Sequence, residues 1–245
     1  MNRRLLPAGL VLAAAVTGCS VSGTHAATGL SRPGTNAPAA RSNALRTLDA
    51  LPVKARAPKA GYDRTAKFGS AWSDTTSAPG AHNGCDSRDD ILRRDLKAVS
   101  YKGTSTCVVA SGTLADPYTA ATINFVRGPQ SSSVQIDHLV ALSDSWQTGA
   151  ALLPQSRREA LANDPLNLLA VSGPANQQKS DGNAAAWLPA NNNFRCTYVA
   201  RQIAVKKKYD LWVIPAEKGA MRQVLAACPR QTLPTDASVG LTQSQ

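Results

Sequence analysis

No run of apolar residues in this 245-residue chain reaches the ~18 needed for a membrane-spanning helix, which excludes an integral membrane protein of that kind. Aromatic residues are scarce at 5%, whereas glycine (17) and proline (15) are plentiful, so much of the chain is expected as loop and turn. Acidic side chains are also few, 16 against 27 Lys and Arg, for a formal net charge of +11. That balance suits a polyanionic partner such as nucleic acid, an anionic wall polymer or a membrane surface, and by itself does not choose among them. No two of the five cysteines have CxxC spacing, which removes a zinc knuckle or a dithiol redox motif.

The compartment is legible at the N-terminus. Two positive charges in Met1–Arg4 precede a short apolar stretch, Leu5–Val16, and then Thr17-Gly18-Cys19. This order of basic, apolar and small residues is an export signal, too short for a stable span. A cysteine directly after Thr-Gly resembles a bacterial lipobox, which implies cleavage before Cys19 and lipid attachment to its thiol. The alternative is an ordinary signal peptide in which Cys19 is incidental. Either way the mature protein is expected outside the cytoplasm, as a cell-surface lipoprotein or a secreted protein. The remaining Cys85, Cys107, Cys196 and Cys228 form an even set suited to an oxidising compartment. Sequence permits three pairings, and Cys85–Cys107 with Cys196–Cys228 is favoured because each closes a modest local loop. Residues 19–48 are poor in bulky apolar side chains and read as a flexible tether, 49–230 as one domain, and 231–245 as a polar tail.

Within the domain the pattern is mixed α and β. Ser87 and Asp90 are spaced as a capping box ahead of Ile91, Leu92, Leu96 and Val99 at helical intervals. Thr106–Ala110, Thr122–Val126, Val134–Val140 and Leu166–Val171 read as short strands, with a turn at Asp116-Pro117. Helices are expected over Pro154–Ala162, from Gly173-Pro174 through Lys179, over Tyr198–Lys208 and over Ala216–Ala227.

The chemistry-bearing residues concentrate in one region. Asp137-His138 stands at a strand end, Asn167 follows 29 residues later on another strand, and Asn176-x-x-Lys179-x-Asp181 comes 9 residues after that. This ordered set resembles the HNH nuclease motif. The likeness implies a ββα-metal finger, two short strands and a helix around one divalent ion, within an α+β domain of surrounding helices and a short antiparallel sheet. Cys85-Asp86-Ser87-Arg88, Leu92-Arg93-Arg94-Asp95-Leu96, Asp116-Pro117-Tyr118, Asn163-Asp164-Pro165-Leu166-Asn167-Leu168 and Trp187-Leu188-Pro189 extend it. Over roughly residues 60–228 the chain resembles secreted HNH proteins that share a domain with the C-terminal part of the GmrSD restriction endonucleases.

That resemblance assigns roles. Neutral histidine accepts a proton near neutrality, so His138 is the expected general base. Asp137 and Asn176 are the expected metal ligands, and their oxygens suit Mg²⁺ or Mn²⁺ better than Zn²⁺. Asn167 is grouped with the catalytic set as the residue that ties the finger loop and orients the base. Lys179 and Arg201 are expected on phosphate, Arg88 as a further phosphate-binding or domain-organising residue, and Lys206, Lys207 and Lys208 as further backbone contacts. Plainer alternatives stand beside these: Asn167 and Asn176 as turn or cap residues, Lys179 and the lysine run as solvated helix faces. Trp146, Trp187 and Trp212 read as core, and neither His25 nor His82 has an evident partner.

The expectation is an exported, metal-dependent endonuclease acting on DNA, and on RNA as a second substrate, with low sequence specificity. The competing expectation is a lipid-anchored surface protein that binds polyanions without catalysis.

Overall fold

A computed structural model describes residues 42–240. The signal segment, Cys19, His25, the tether up to residue 41 and the last five residues lie outside the described residues. Eight α-helices and five strands are present among those described: α1 (Asn43–Ala50), α2 (Arg64–Phe68), α3 (Ser87–Asp95), β1 (Leu96–Tyr101), β2 (Val109–Ala115), β3 (Thr122–Val126), β4 (Val134–His138), α4 (Leu142–Gln147), α5 (Gln155–Asn163), β5 (Leu168–Ser172), α6 (Gly173–Lys179), α7 (Arg195–Lys208) and α8 (Pro215–Ala226). The class is α+β, as expected.

The strands make two antiparallel sheets, a meander β1-β2-β3 and a separate pair β4-β5. In the pair, Val134 faces Ser172 and His138 faces Leu168. All five residues of β5 are buried. Leu168 and Ala170 enter a core shared with α3 and the meander, and Leu169 and Val171 enter a second core formed with α1, α7 and α8. Alternating side chains on a strand point to opposite faces, so a continuously apolar run is what a strand between two cores requires. A third core joins α2, α4, α5 and the end of α7 around Phe68, Trp146 and Tyr209.

The helix α6 follows β5 without a break. Ser172 caps it through its hydroxyl, which accepts from Ala175 N, and Pro174 sits in its first turn, where a missing N–H costs nothing. Gly173 is obligatory here for a different reason. A Cβ at that position would lie 2.0 Å from the Ser132 carbonyl oxygen, so only glycine lets α6 close against the segment leading into β4.

Several boundaries differ from expectation. The cap of α3 is Asp86, whose carboxylate accepts from Asp89 N, and the helix stops at Asp95, so that Leu96 and Val99 belong to β1. Residues 43–48, assigned by composition to the tether, form α1, and its Ala44 and Leu48 are fully buried against α7 and α8. The start of the expected tail is likewise tied down: Leu233 packs against the core and Asp236 pairs with Lys208 at 2.7 Å. Both disulfides have the favoured pairing. Cys85–Cys107 joins the approach to α3 to that of β2, and Cys196–Cys228 joins α7 to the end of α8.

Candidate active site

Because Asp137 and His138 are neighbours at the end of β4, their side chains leave opposite faces of the strand. Asp137 points under α6. Lys179 Nζ donates to its Oδ1 and to the His138 carbonyl, both at 2.9 Å, and the Tyr118 hydroxyl donates to its Oδ2 at 2.5 Å. The Lys179 side chain is wholly inaccessible. Burial pushes the Asp137 carboxyl upward by more than the Lys179 charge and the Tyr118 hydrogen bond hold it down.

His138 points the other way, toward α5 and the loop before α3. Its Nε2 lies 2.8 Å from the Ala162 carbonyl oxygen. A carbonyl only accepts, so Nε2 carries the proton and the lone pair resides on Nδ1. Burial above all, then the Arg64 and Lys179 charges, lower the imidazole pKa to about 3, and the Ala162 bond opposes them. The ring is therefore neutral at physiological pH. Trp72 lies nearly parallel to it, 5.8 Å between centroids and 11° between planes. Trp72 adopts φ of 61°, a conformation that costs a bulky residue about 1–3 kcal/mol and is retained where surrounding structure demands it.

Asn176, on α6, donates through Nδ2 to Gln135 Oε1 at 2.9 Å. Gln135 in turn offers its own Nε2 to the Ser132 carbonyl, which fixes both amides and, among the described residues, leaves Asn176 Oδ1 without a hydrogen bond. Asp137, His138 and Asn176 line one open cleft of about 530 Å³ together with Gln135, Ser143 and Asp181, and Lys59, Tyr62 and Arg64 also border it. Lys59 and Asp181 form an ion pair at 3.3 Å.

Asn167 does not touch the cleft. Its Oδ1 accepts from Val140 N at 2.8 Å, its carbonyl accepts from Leu139 N, and Nδ2 reaches the Val140 and Leu161 carbonyls. It pins the two residues that follow His138. Of the expected phosphate contacts, Lys179, Arg201, Lys206 and Lys208 are engaged inside the fold instead. Lys179 is buried on Asp137. Arg201 is buried too, donating to the Pro165, Leu166 and Leu168 carbonyls, with its pKa lowered to about 10 by burial and by Arg94. Arg88 donates to the Val134 carbonyl, which makes it an organiser of the start of β4. Lys206 is enclosed between Asp144 and Glu217, and Lys208 pairs with Asp164 and Asp236, whereas Lys207 is exposed. Trp146 is core as expected, and Trp187 packs against the core beside Tyr118. Trp212 is half-buried, stacked under Lys54.

Sequence reasoning missed Trp72, Gln135, Lys59 and Arg64, and quoted Tyr118 without a role. Nothing local marks the first four, because each acquires its meaning from a neighbour far along the chain.

Divalent cations of the hard class need oxygen donors. Among the described residues Asn176 Oδ1 has no hydrogen bond, and the Asp137 carboxylate, which accepts from Tyr118, Lys179 and the His138 backbone N–H, still has acceptor capacity, since a carboxylate offers about four lone-pair sites. This pair fits Mg²⁺ or Mn²⁺, and among the described residues no group of three or more His, Cys, Asp or Glu converges as a metal centre.

Strand end, following helix, neutral histidine and adjacent oxygen donors within an α+β domain are compatible with an HNH-type fold. Residues 86–224 match the C-terminal domain of the GmrSD restriction endonucleases, and the chain belongs to that family. It is also 37% identical over 195 residues to an uncharacterised secreted protein of Arthroderma benhamiae (strain ATCC MYA-4681 / CBS 112371), covering 79% of this chain and 88% of the relative. No solved structure matches it significantly. Nucleases of the HNH type generally use divalent metal ions.

Proposed function

We propose that this protein is an exported endonuclease that hydrolyses phosphodiester bonds of DNA with low sequence specificity, RNA being its second candidate substrate. The observation that carries the reading is the His138 tautomer: Nε2 is committed to Ala162, which keeps the lone pair on Nδ1, and His138 lines the same cleft as Asp137 and Asn176. In the reaction a water oxygen attacks phosphorus and its proton passes to His138 Nδ1. The bond from phosphorus to the leaving sugar oxygen breaks, and that oxygen takes a proton from solvent, leaving a phosphomonoester and a hydroxyl end. A divalent ion held by Asp137 and Asn176 would supply the positive charge that offsets charge developing on the phosphate. Asp137 is already neutralised by Lys179, so ion affinity without substrate is expected to be weak. A formal net charge of +11 supports recognition through backbone phosphate, which carries no sequence information. The two disulfides, the export-type N-terminus and the secreted relative support an extracytoplasmic setting.

The test is plasmid nicking by residues 20–245 with Mg²⁺, Mn²⁺ or EDTA, beside His138→Ala. Metal-dependent cutting that disappears in the variant is expected. Retention of DNA without cutting under every condition would favour a polyanion-binding surface protein instead. A lipid anchor on Cys19 is a separate part of the proposal. Cys19→Ser should release the full chain from membranes, and persistent membrane association would reject lipidation.

A further inference from the structure

A phosphodiester entering the cleft carries a full negative charge past a buried carboxylate, so the site needs a positive side chain that can meet it. Of the lysines and arginines chosen from sequence, Lys179, Arg201, Lys206 and Lys208 are buried or ion-paired, and neither the half-buried Arg88, which donates to Val134 O, nor the exposed Lys207 lines the cleft. Two other cations do line it. Lys59 is held by Asp181. Arg64 is exposed and, among the described residues, has neither an ion pair nor a hydrogen bond. It borders both the main cleft and the narrow recess between Trp72 and His138. The adjacent Asp63 does not quench it, because its carboxylate caps α2 by accepting from Ala66 N at 2.6 Å.

The backbone around Arg64 is anchored on both sides. Trp146 Nε1 donates to the Ala60 carbonyl, Arg158 Nε donates to the Lys67 carbonyl at 2.7 Å, and Phe68 is buried against Trp146 and Tyr62. The guanidinium thus projects from a fixed base into an open cleft. Its planar fork matches two phosphate oxygens, which an ammonium does not.

We propose that Arg64 is the phosphate-binding cation of this site, gripping the two non-bridging oxygens of the scissile phosphodiester and holding phosphorus beside His138. This rests on the nuclease reading above and adds a residue that precedes the family-matched stretch 86–224.

The experiment compares wild type, Arg64→Gln, Arg64→Lys and Lys97→Gln. Lys97→Gln removes the same charge from an exposed position on β1, outside the cleft. Binding of a fluorescein-labelled single-stranded oligonucleotide is read by anisotropy in EDTA across a salt series, and plasmid nicking is read with Mg²⁺. Arg64→Gln should bind about tenfold more weakly than Lys97→Gln and lower the salt slope by about one. Its kcat should fall by roughly 10²-fold or more, with Arg64→Lys intermediate. Equal binding and nicking by Arg64→Gln and Lys97→Gln would overturn the assignment. If wild type cuts nothing, the nuclease reading fails, and anisotropy alone still decides whether Arg64 binds phosphate.

Discussion

His138 shows what a single residue acquires from its surroundings. In an unfolded chain its imidazole titrates near 6.5, and in the fold burial lowers that value to about 3. As pH falls through 6.5 the unfolded chain takes up a proton that the folded protein refuses, so native stability must decline on acidification. At pH 4.5 this one group is expected to have cost about 2–3 kcal/mol relative to pH 7. Urea unfolding at the two pH values checks it: the difference should shrink by that amount in His138→Asn, and an unchanged difference would mean that the ring is not desolvated. Lys179 makes the complementary case. As a solvated helix residue its loss would be nearly silent, but as the buried partner of Asp137 it is not. Lys179→Met should destabilise the fold by about 3–5 kcal/mol in the same assay, because it strands a buried carboxylate.

At the level of elements, the finger works because a strand, a glycine and a helix are matched in size. Leu168–Ser172 can be buried on both faces only because every outward position is apolar or small, and α6 can lie against the entry to β4 only because Gly173 has no side chain. Gly173→Ala should therefore lower stability by about 1–3 kcal/mol, seen as a fall in Tm, and should reduce nicking by displacing Asn176. A neutral effect on both would show that the 131–133 segment yields freely. The same element logic explains where pattern reading slipped. Helical spacing across Ile91, Leu92, Leu96 and Val99 was real only for its first half. Leu96 pairs with Leu114 as a strand residue, and that partner lies on β2, beyond the reach of any local pattern.

For the whole molecule, the strongly basic composition is a poor guide to where nucleic acid binds. Lys206, Lys207 and Lys208 are consecutive on α7, yet the helix lies between two cores and turns the first inward. Lys206 meets Asp144, Glu217 and the Trp212 carbonyl, with Arg56 on the far side of Asp144. Lys206→Met should cost about 3–5 kcal/mol in urea unfolding, since two carboxylates lose their shared cation, while Lys207→Met should stay within about 0.5 kcal/mol. Equal effects from the two would reject the network as a structural element.

The chain's own order of residues determined the broad class of domain, the strand at 122–126, the start of another at Val134 and the ordered Asp137, His138, Asn167 and Asn176 set, because these depend on local periodicity and on motif spacing; for the disulfides it left three pairings, of which the favoured one formed. Tertiary structure alone decided which cations are free. Burial consumes Lys179 and Lys206 on carboxylates and Arg201 on carbonyls, while Arg64 and Trp72, unmarked in sequence, are carried to His138 by the packing of Phe68 and by the Ser87 N–H bond to the Trp72 carbonyl. Charge is written in sequence, but whether a charge is spent inside the fold or offered to a substrate is a property of distance and solvent, which only the folded chain sets.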